Sequence, residues 1–214
     1  MDTNRLTARI VGRIPLYEGF LKLYRYRLEI QTHDGHTRDI EWEMMERGNS
    51  VGVLAYDPTR DEVVLGNECR PGALVSGEHA YRDQLIAGAL VAGESPIEAA
   101  VREMKEETGL VLHDLRVIHP GAYASSGGSS EKIAIVFGIV DSRGAAGAIH
   151  GSDAKEDVLT VTMPARVFLE RVLSGEIDDC KTLLAGYWFA RHWPNRDGTE
   201  VGAPSSASQS RLTP

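Results

Sequence analysis

The sequence predicts an α/β fold preceded by a segment of antiparallel strands. Three observations carry that prediction. Aromatic and β-branched residues alternate with charged ones in the first third of the chain, with the two-residue period of half-buried strands. Past Ser95 the apolar residues recur three and four apart, the period of a helix. Further strand-like runs flank that helix, and two more helical stretches follow them.

Taken in order, Tyr24, Tyr26, Leu28 and Ile30 share one parity within a strand over about 20–30. Asp34-Gly35 is a hairpin signal, and Ile40, Trp42 and Met44 alternate with Asp39, Glu41 and Glu43 in the returning strand. Residues 50–56 are more continuously apolar, which predicts a more buried strand. Asp57-Pro58 turns the chain into a strand over 62–69, and 80–87 reads as another short strand. Ser95-Pro96-Ile97-Glu98 has the form of a capping box with proline at the first helical position. It predicts a helix over 96–108 that buries Ile97, Ala100, Val101, Met104 and Thr108 and stops at Gly109. Strands are expected at 110–118 and 132–140, with a Gly/Ser loop at 125–130 between them. A second flexible loop at 144–151 leads to a strand over 158–163. Pro164 opens a helix to about Ser174, and Asp178 or Asp179 caps another that runs to about His192. The expected organisation is an N-terminal strand segment at 1–47, a main domain at 48–193 and a Ser/Gly/Pro-rich, disordered tail at 194–214.

Composition narrows the function classes. The chain has 214 residues, 42% hydrophobic and 25% charged, enough to bury a core without crosslinks. Against 23 Lys and Arg stand 31 Asp and Glu, a net charge of -8, which speaks against a general nucleic-acid binder. Cys69 and Cys180 form neither a disulfide framework nor a zinc pattern, and each is expected to be a small buried hydrophobe. No signal-peptide stretch and no run of about 18 apolar residues is visible. The expectation is a cytoplasmic protein with neither membrane nor nucleic-acid partner.

Five glutamates crowd one region: Glu94, Glu98, Glu103, Glu106 and Glu107. Glu103 and Glu107 are i,i+4 on the predicted helix and project side by side, with Glu106 adjoining. Like charges there repel, and only Arg102 and Lys105 offer local relief. A hard divalent cation would explain the cluster, because Mg²⁺ takes oxygen ligands and commonly bridges carboxylates to substrate phosphates.

Gly88-x5-Glu94-x7-Arg102-Glu103-Met104-x-Glu106-Glu107-x-Gly109-Leu110 resembles the Nudix box with no position missing. Chance would produce that match on the order of 10⁻¹⁰ times per start point. The resemblance implies an α/β/α sandwich with a mixed sheet, and Mg²⁺-dependent hydrolysis (Mn²⁺ is the alternative) of a nucleoside diphosphate linked to another moiety. It implies that Glu103, Glu107 and the carbonyl of Ala87 hold the metal, that Glu106 is an accessory ligand or a partner of the metal's water shell, and that Arg102 orients the glutamates.

Over roughly 16–193 the chain is also similar to bacterial ADP-ribose pyrophosphatases. The matching segments include Leu16-Tyr17-Glu18-Gly19-Phe20, Glu46-Arg47-Gly48, Tyr56-Asp57-Pro58, Gly127-Gly128-Ser129-Ser130-Glu131, Ile149-His150-Gly151 and Glu156-Asp157. In that group N-terminal strands exchange between subunits, which implies a homodimer. The resemblance puts Phe20 on the adenine and Arg47 and Arg70 on the pyrophosphate, with Ala89 among the substrate contacts. It puts Ser126, Gly127, Gly128 and Glu131 at the terminal ribose. Two positions depart from the group. Ser126 stands where a proline is usual, and the loop carrying the catalytic base is about a residue shorter. Glu156 matches a metal-binding position, but no glutamate matches the base, which leaves Asp153, Glu106 and Glu156 open for that role. The implied reaction cleaves ADP-ribose to AMP and ribose 5-phosphate. GDP-mannose or another nucleoside diphosphate sugar is the runner-up, and a non-catalytic ADP-ribose sensor is the reading from a different class.

Overall fold

A computed structural model of the chain describes residues 6–151 and 157–193. These divide into two compact units: the N-terminal residues through Asn49 with Tyr123–Lys132, and Ser50–Ala122 with the residues from Ile133 onward. Asp153, Glu156 and the tail expected to be disordered lie outside the described residues.

The first unit is built on an antiparallel sheet of β1 (Ala8–Glu18), β2 (Lys22–Gln31) and β3 (Thr37–Glu46), in that order. The alternation in β2 and β3 is realised as facing pairs: Tyr24 opposite Met44, Tyr26 opposite Trp42 and Leu28 opposite Ile40. Gly35 turns the hairpin at φ 85°, a conformation that side chains disfavour. Strand β1 falls within the expected N-terminal strand segment, but no alternation marks its own bounds. Its pairing with β2 slips at Ile10/Gly12 and again at Pro15/Tyr17, so no single parity runs through it. Ile10, Ile14, Leu16 and Tyr17 are all exposed.

The second unit is an α/β/α sandwich around a mixed sheet. Its order is β10 (Ile149–His150), β11 (Val158–Pro164), β5 (Glu62–Cys69), β4 (Ser50–Asp57), β9 (Lys132–Ile139) and β8 (His113–Tyr123). β4 is buried along its whole length, as its continuous apolar run predicts. It pairs in parallel with β9 along one edge. The other edge is shared by β5 and by β7 (Ile86–Ala89), both antiparallel. Successive β4 side chains therefore enter different cores. Val51, Val53 and Ala55 pack under α2 (Pro96–Thr108) with Ala99, Ala100 and Met104. Leu54 and Tyr56 pack with Phe168 and Leu169 of α3 (Ala165–Ser174) and Phe189 of α4 (Cys180–His192).

Several expectations need correction. The single strand expected at 80–87 is two: β6 (Tyr81–Gln84) pairs with β5 and β7 with β4. The chain steps between them at Leu85, whose N–H bonds to Thr182 Oγ1 at 3.0 Å instead of a strand neighbour. A short helix, α1 (Pro71–Val75), follows β5 and buries none of its residues, so no apolar period announced it. β8 starts at His113, and the loop expected at 144–151 contains β10. Cys69 and Cys180 are exposed, not buried, because one ends a strand and the other starts a helix. In α2 the buried face is Ala99, Ala100, Glu103, Met104, Glu107 and Thr108, while Ile97 and Val101 are 38% and 40% exposed. Among the described residues no helix is long and apolar enough to cross a membrane.

Candidate active site

The loop from β7 into α2 and the first three turns of that helix form one bonded unit. Ser95 Oγ accepts the Glu98 N–H, and Glu98 returns a carboxylate oxygen to the Ser95 N–H at 2.8 Å, so the capping box holds at both ends. At the other terminus Gly109 lies at φ 72° and donates its N–H to the Lys105 carbonyl. Both ends of the helix are thus fixed by residues legible in the sequence, and its glutamates hold a definite angular position.

Arg102 organises the centre. Its Nε and Nη2 each donate to a different oxygen of Glu94 at 2.9 Å, the paired fork geometry of a strong arginine–carboxylate contact. Nη2 also donates to the Ala89 carbonyl at 3.0 Å, and Nη1 donates to Glu103 Oε1 at 2.6 Å and to Glu106 Oε2 at 3.3 Å. These bonds, with Glu94 first among them, raise the arginine's pKa, and the arginine's hydrogen bonds and the Val91 N–H lower that of Glu94. Loop and helix are clamped by one permanently charged group.

Glu103 and Glu107 are each only 8% exposed, whereas Glu106 is on the exposed side. A glutamate buried to that degree needs a charge or hydrogen-bond partner. Glu103 lies against Gly88 so closely that a Cβ there would come within 1.8 Å of Oε1. Gly88 is therefore needed for close approach and not for a left-handed backbone. The neighbouring Ala87 pairs with Gly52 of β4. Among the described residues no three His, Cys, Asp or Glu side chains form a ready metal site. The donor set is hard oxygen on a buried i,i+4 pair, which suits a divalent cation whose remaining shell is water, substrate or both.

Arg70, also in this unit, follows β5 and holds Glu68 through Nη2 at 2.5 Å. Ala89 ends β7 in this unit too, and the remaining expected substrate residues belong to the N-terminal unit. Phe20 is 93% exposed. The Nε of Arg47 lies 3.8 Å from Oε1 of the buried Glu131. Ser126, Gly127 and Gly128 occupy a turn that β3 holds by its backbone: Met45 N–H donates to Gly128 O at 2.9 Å and Ser130 N–H to Met45 O at 3.2 Å. Trp42 adds an indole N–H to the Gly127 carbonyl at 2.6 Å. That contact was not read from the sequence, where Trp42 registered only as one member of an alternating strand.

The chain is similar to known proteins in sequence and in fold. Residues 46–164 match the NUDIX domain. The chain is 34% identical over 187 residues to the ADP-ribose pyrophosphatase of Escherichia coli strain K12, covering 86% of this chain and 88% of that one. It is 32% identical over 186 residues to the ADP-ribose pyrophosphatase of Haemophilus influenzae, covering 84% of each. A GDP-mannose pyrophosphatase of Shigella flexneri is 27% identical over 169 residues, covering 79% of this chain and 87% of that one. The crystal structure of an ADP compounds hydrolase shares the fold with a TM-score of 0.63 at 20% identity, over 87% of this chain and 96% of that one. A domain match over more than half the length, together with curated relatives aligned across most of both chains, establishes that this chain belongs to the Nudix family and is a Nudix hydrolase.

Proposed function

We propose that the protein hydrolyses the pyrophosphate of ADP-ribose or a closely related nucleoside diphosphate sugar with Mg²⁺, releasing a nucleoside monophosphate and a sugar phosphate. The observation that carries this is the buried Glu103–Glu107 pair on a helix clamped through Arg102. The relatives support the substrate class, and Nudix hydrolases generally use divalent metal ions. Glu103, Glu107, the Ala87 carbonyl and Glu156 are the groups that would hold the cation. A bound Mg²⁺ supplies charge neutralisation and polarises a phosphoryl oxygen.

The chain's own residues do the rest. Arg47 and Arg70 neutralise the diphosphate, and their planar, always-charged forks suit its oxygens. Phe20 offers an aromatic face to the base. Ala89 lies along the diphosphate, and Ser126, Gly127, Gly128 and Glu131 border the sugar. Asp153 or Glu106 takes a proton from the attacking water, whose oxygen bonds to phosphorus in line as the bridging P–O bond breaks. Comparing Asp153→Asn, Glu106→Gln and Glu156→Gln assigns these roles. The base is the residue whose loss lowers kcat without raising the metal requirement.

A cytoplasmic homodimer completes the proposal. Ile10, Ile14, Leu16, Tyr17 and Phe20 are all exposed in the N-terminal unit, and a partner subunit would cover apolar side chains of this kind. Light scattering should report twice the chain mass at micromolar concentration, and a fully active monomer contradicts the dimer. The function itself is tested by incubating ADP-ribose, GDP-mannose and other nucleoside diphosphate sugars with protein and Mg²⁺. AMP and ribose 5-phosphate from ADP-ribose are expected, with that substrate having the highest kcat/KM. A panel in which no member is cleaved overturns the reading.

A further inference from the structure

The interior of the second unit holds an uncommon group for a core: the lysine of α4 at position 181. Its ammonium side chain is only 11% exposed. Its stem crosses the bare face of β4 at Gly52, where a Cβ would meet Lys181 Cδ at 3.6 Å. Burial pushes the lysine pKa down, and Asp179 opposes that. An apolar side chain would fill the same space without the cost of desolvating a charge, so the question is what the ammonium does there.

Its partners form an ordered chain. Lys181 Nζ donates to Asp179 Oδ1 and to Gln84 Oε1, both at 2.8 Å. Asp179 is fixed in turn as the cap of α4, with its other oxygen accepting from Thr182 N–H and Thr182 Oγ1. Gln84 is 1% exposed. Its Nε2 donates to Glu68 Oε1 at 2.5 Å, and that same oxygen receives Arg70 Nη2 at 2.5 Å. The direction of every bond follows from chemistry. An ammonium can only donate, so the Gln84 atom facing it must be the carbonyl oxygen. That leaves the amide nitrogen toward Glu68, and a nitrogen there can only donate. Glu68 is thereby presented to Arg70 in one orientation. A neutral residue at 181 would let the Gln84 amide turn over and set two acceptors against each other.

We infer that Lys181 and Gln84 are positioning residues for substrate binding, acting through Glu68 to aim the Arg70 guanidinium at the diphosphate. The inference rests on the reading of Arg70 as a substrate contact. It adds to that reading a fixed path from the cap of α4 to the end of β5, built from residues outside the glutamate helix. Neither Lys181 nor Gln84 touches substrate. Their loss weakens binding of the ground state and the transition state alike, which appears in KM and leaves kcat in place.

The test uses steady-state kinetics with ADP-ribose and Mg²⁺ on the full chain, with circular dichroism to verify folding. Lys181→Met keeps length and volume but removes the donor. Gln84→Glu keeps the acceptor toward Lys181 and turns the donor toward Glu68 into a repelling oxygen. Each is expected to raise KM about 5–10-fold, the net worth of roughly one ordinary hydrogen bond, with kcat within about twofold. In an Arg70→Ala background, which itself raises KM, Lys181→Met should add less than about twofold, because the residue it acts through is gone. The path is overturned if Arg70→Ala raises KM while the folded Lys181 and Gln84 variants do not, or if their increments persist undiminished without Arg70. If Arg70→Ala leaves KM unchanged, the reading of Arg70 itself fails and takes the path with it. Should Lys181→Met fail to fold, Gln84→Glu alone and with Arg70→Ala makes the same comparison.

Discussion

Glu107→Gln and Glu103→Gln are each expected to lower kcat by about 10²–10⁴-fold, the scale of the several kcal/mol that a metal contributes to a phosphoryl transition state. Glutamine has nearly the volume of glutamate, so packing against the sheet survives and only the charge and one acceptor are lost. Both carboxylates sit on the buried face of α2, four residues apart, and both are 8% exposed. Two negative charges so placed repel each other in a medium less polar than water. Arg102 offsets part of this at Glu103, where Nη1 lies 2.6 Å from Oε1. The Tm of the metal-free protein should therefore move by only a few degrees, at roughly 2–4 °C per kcal/mol for a chain of this size. Kinetics over a Mg²⁺ titration, with Tm from calorimetry, check both halves. Near-normal turnover in both variants would remove the metal role from the helix.

The second large effect belongs to a residue with no functional group. Gly88→Ala should reduce kcat about as far as Glu103→Gln, within roughly an order of magnitude. The added methyl would lie 1.8 Å from Glu103 Oε1 and 1.9 Å from its Cδ. The carboxylate would have to swing away from its present place, where it accepts from Arg102 Nη1. What must shift is the far end of one side chain, so the loss falls on turnover more than on stability. Gly109→Ala is the matched control. Gly109 sits at φ 72°, but the nearest atom to its added carbon, His150 Cε1, is 3.6 Å away. That variant should lose about 1–2 kcal/mol of stability to backbone strain while keeping most of its kcat. Equal kcat in Gly88→Ala and wild type would show that the close approach to Glu103 does not matter to turnover.

Helix α2 was legible because its two ends are chemical signals, a reciprocal serine–glutamate cap and a left-handed glycine, and both act within four residues. On its inner face Ala100, Met104 and Thr108 are buried as the period predicts, and Ile97 and Val101 are not, for a physical reason. The rule that apolar residues turn inward chose Ile97 and Val101, but small Ala99 and Ala100 let the helix lie close to β4. The helix is thereby rotated so that Glu103 and Glu107 point inward. A site that buries charge breaks the periodicity that would otherwise locate the buried face. The bounds of strand β1 escaped notice because its two register slips erase the alternation, and α1 did because a single exposed turn has no period to show. The division of 80–87 depends on a bond from Leu85 to Thr182, 97 residues further along, which no local pattern encodes. The roles of Gln84 and Lys181 were hidden likewise, since each looks like an ordinary polar residue until a distant strand or helix is brought beside it.

The parallel pairing of β4 with β9 also governs how the chain is made. β4 ends at Asp57, and the strand that covers its second edge ends at Ile139, 82 residues later (139 − 57). At roughly 5–20 residues per second, a ribosome needs about 4–16 s to deliver that partner. Throughout that interval a largely apolar strand presents one row of unpaired N–H and C=O groups, the surface on which chains add to one another. The antiparallel neighbours β5 and β7 arrive early but close only the other side. The nascent chain is thus most exposed to self-association between completion of α2 and emergence of β9, before the fold built around its glutamates can close.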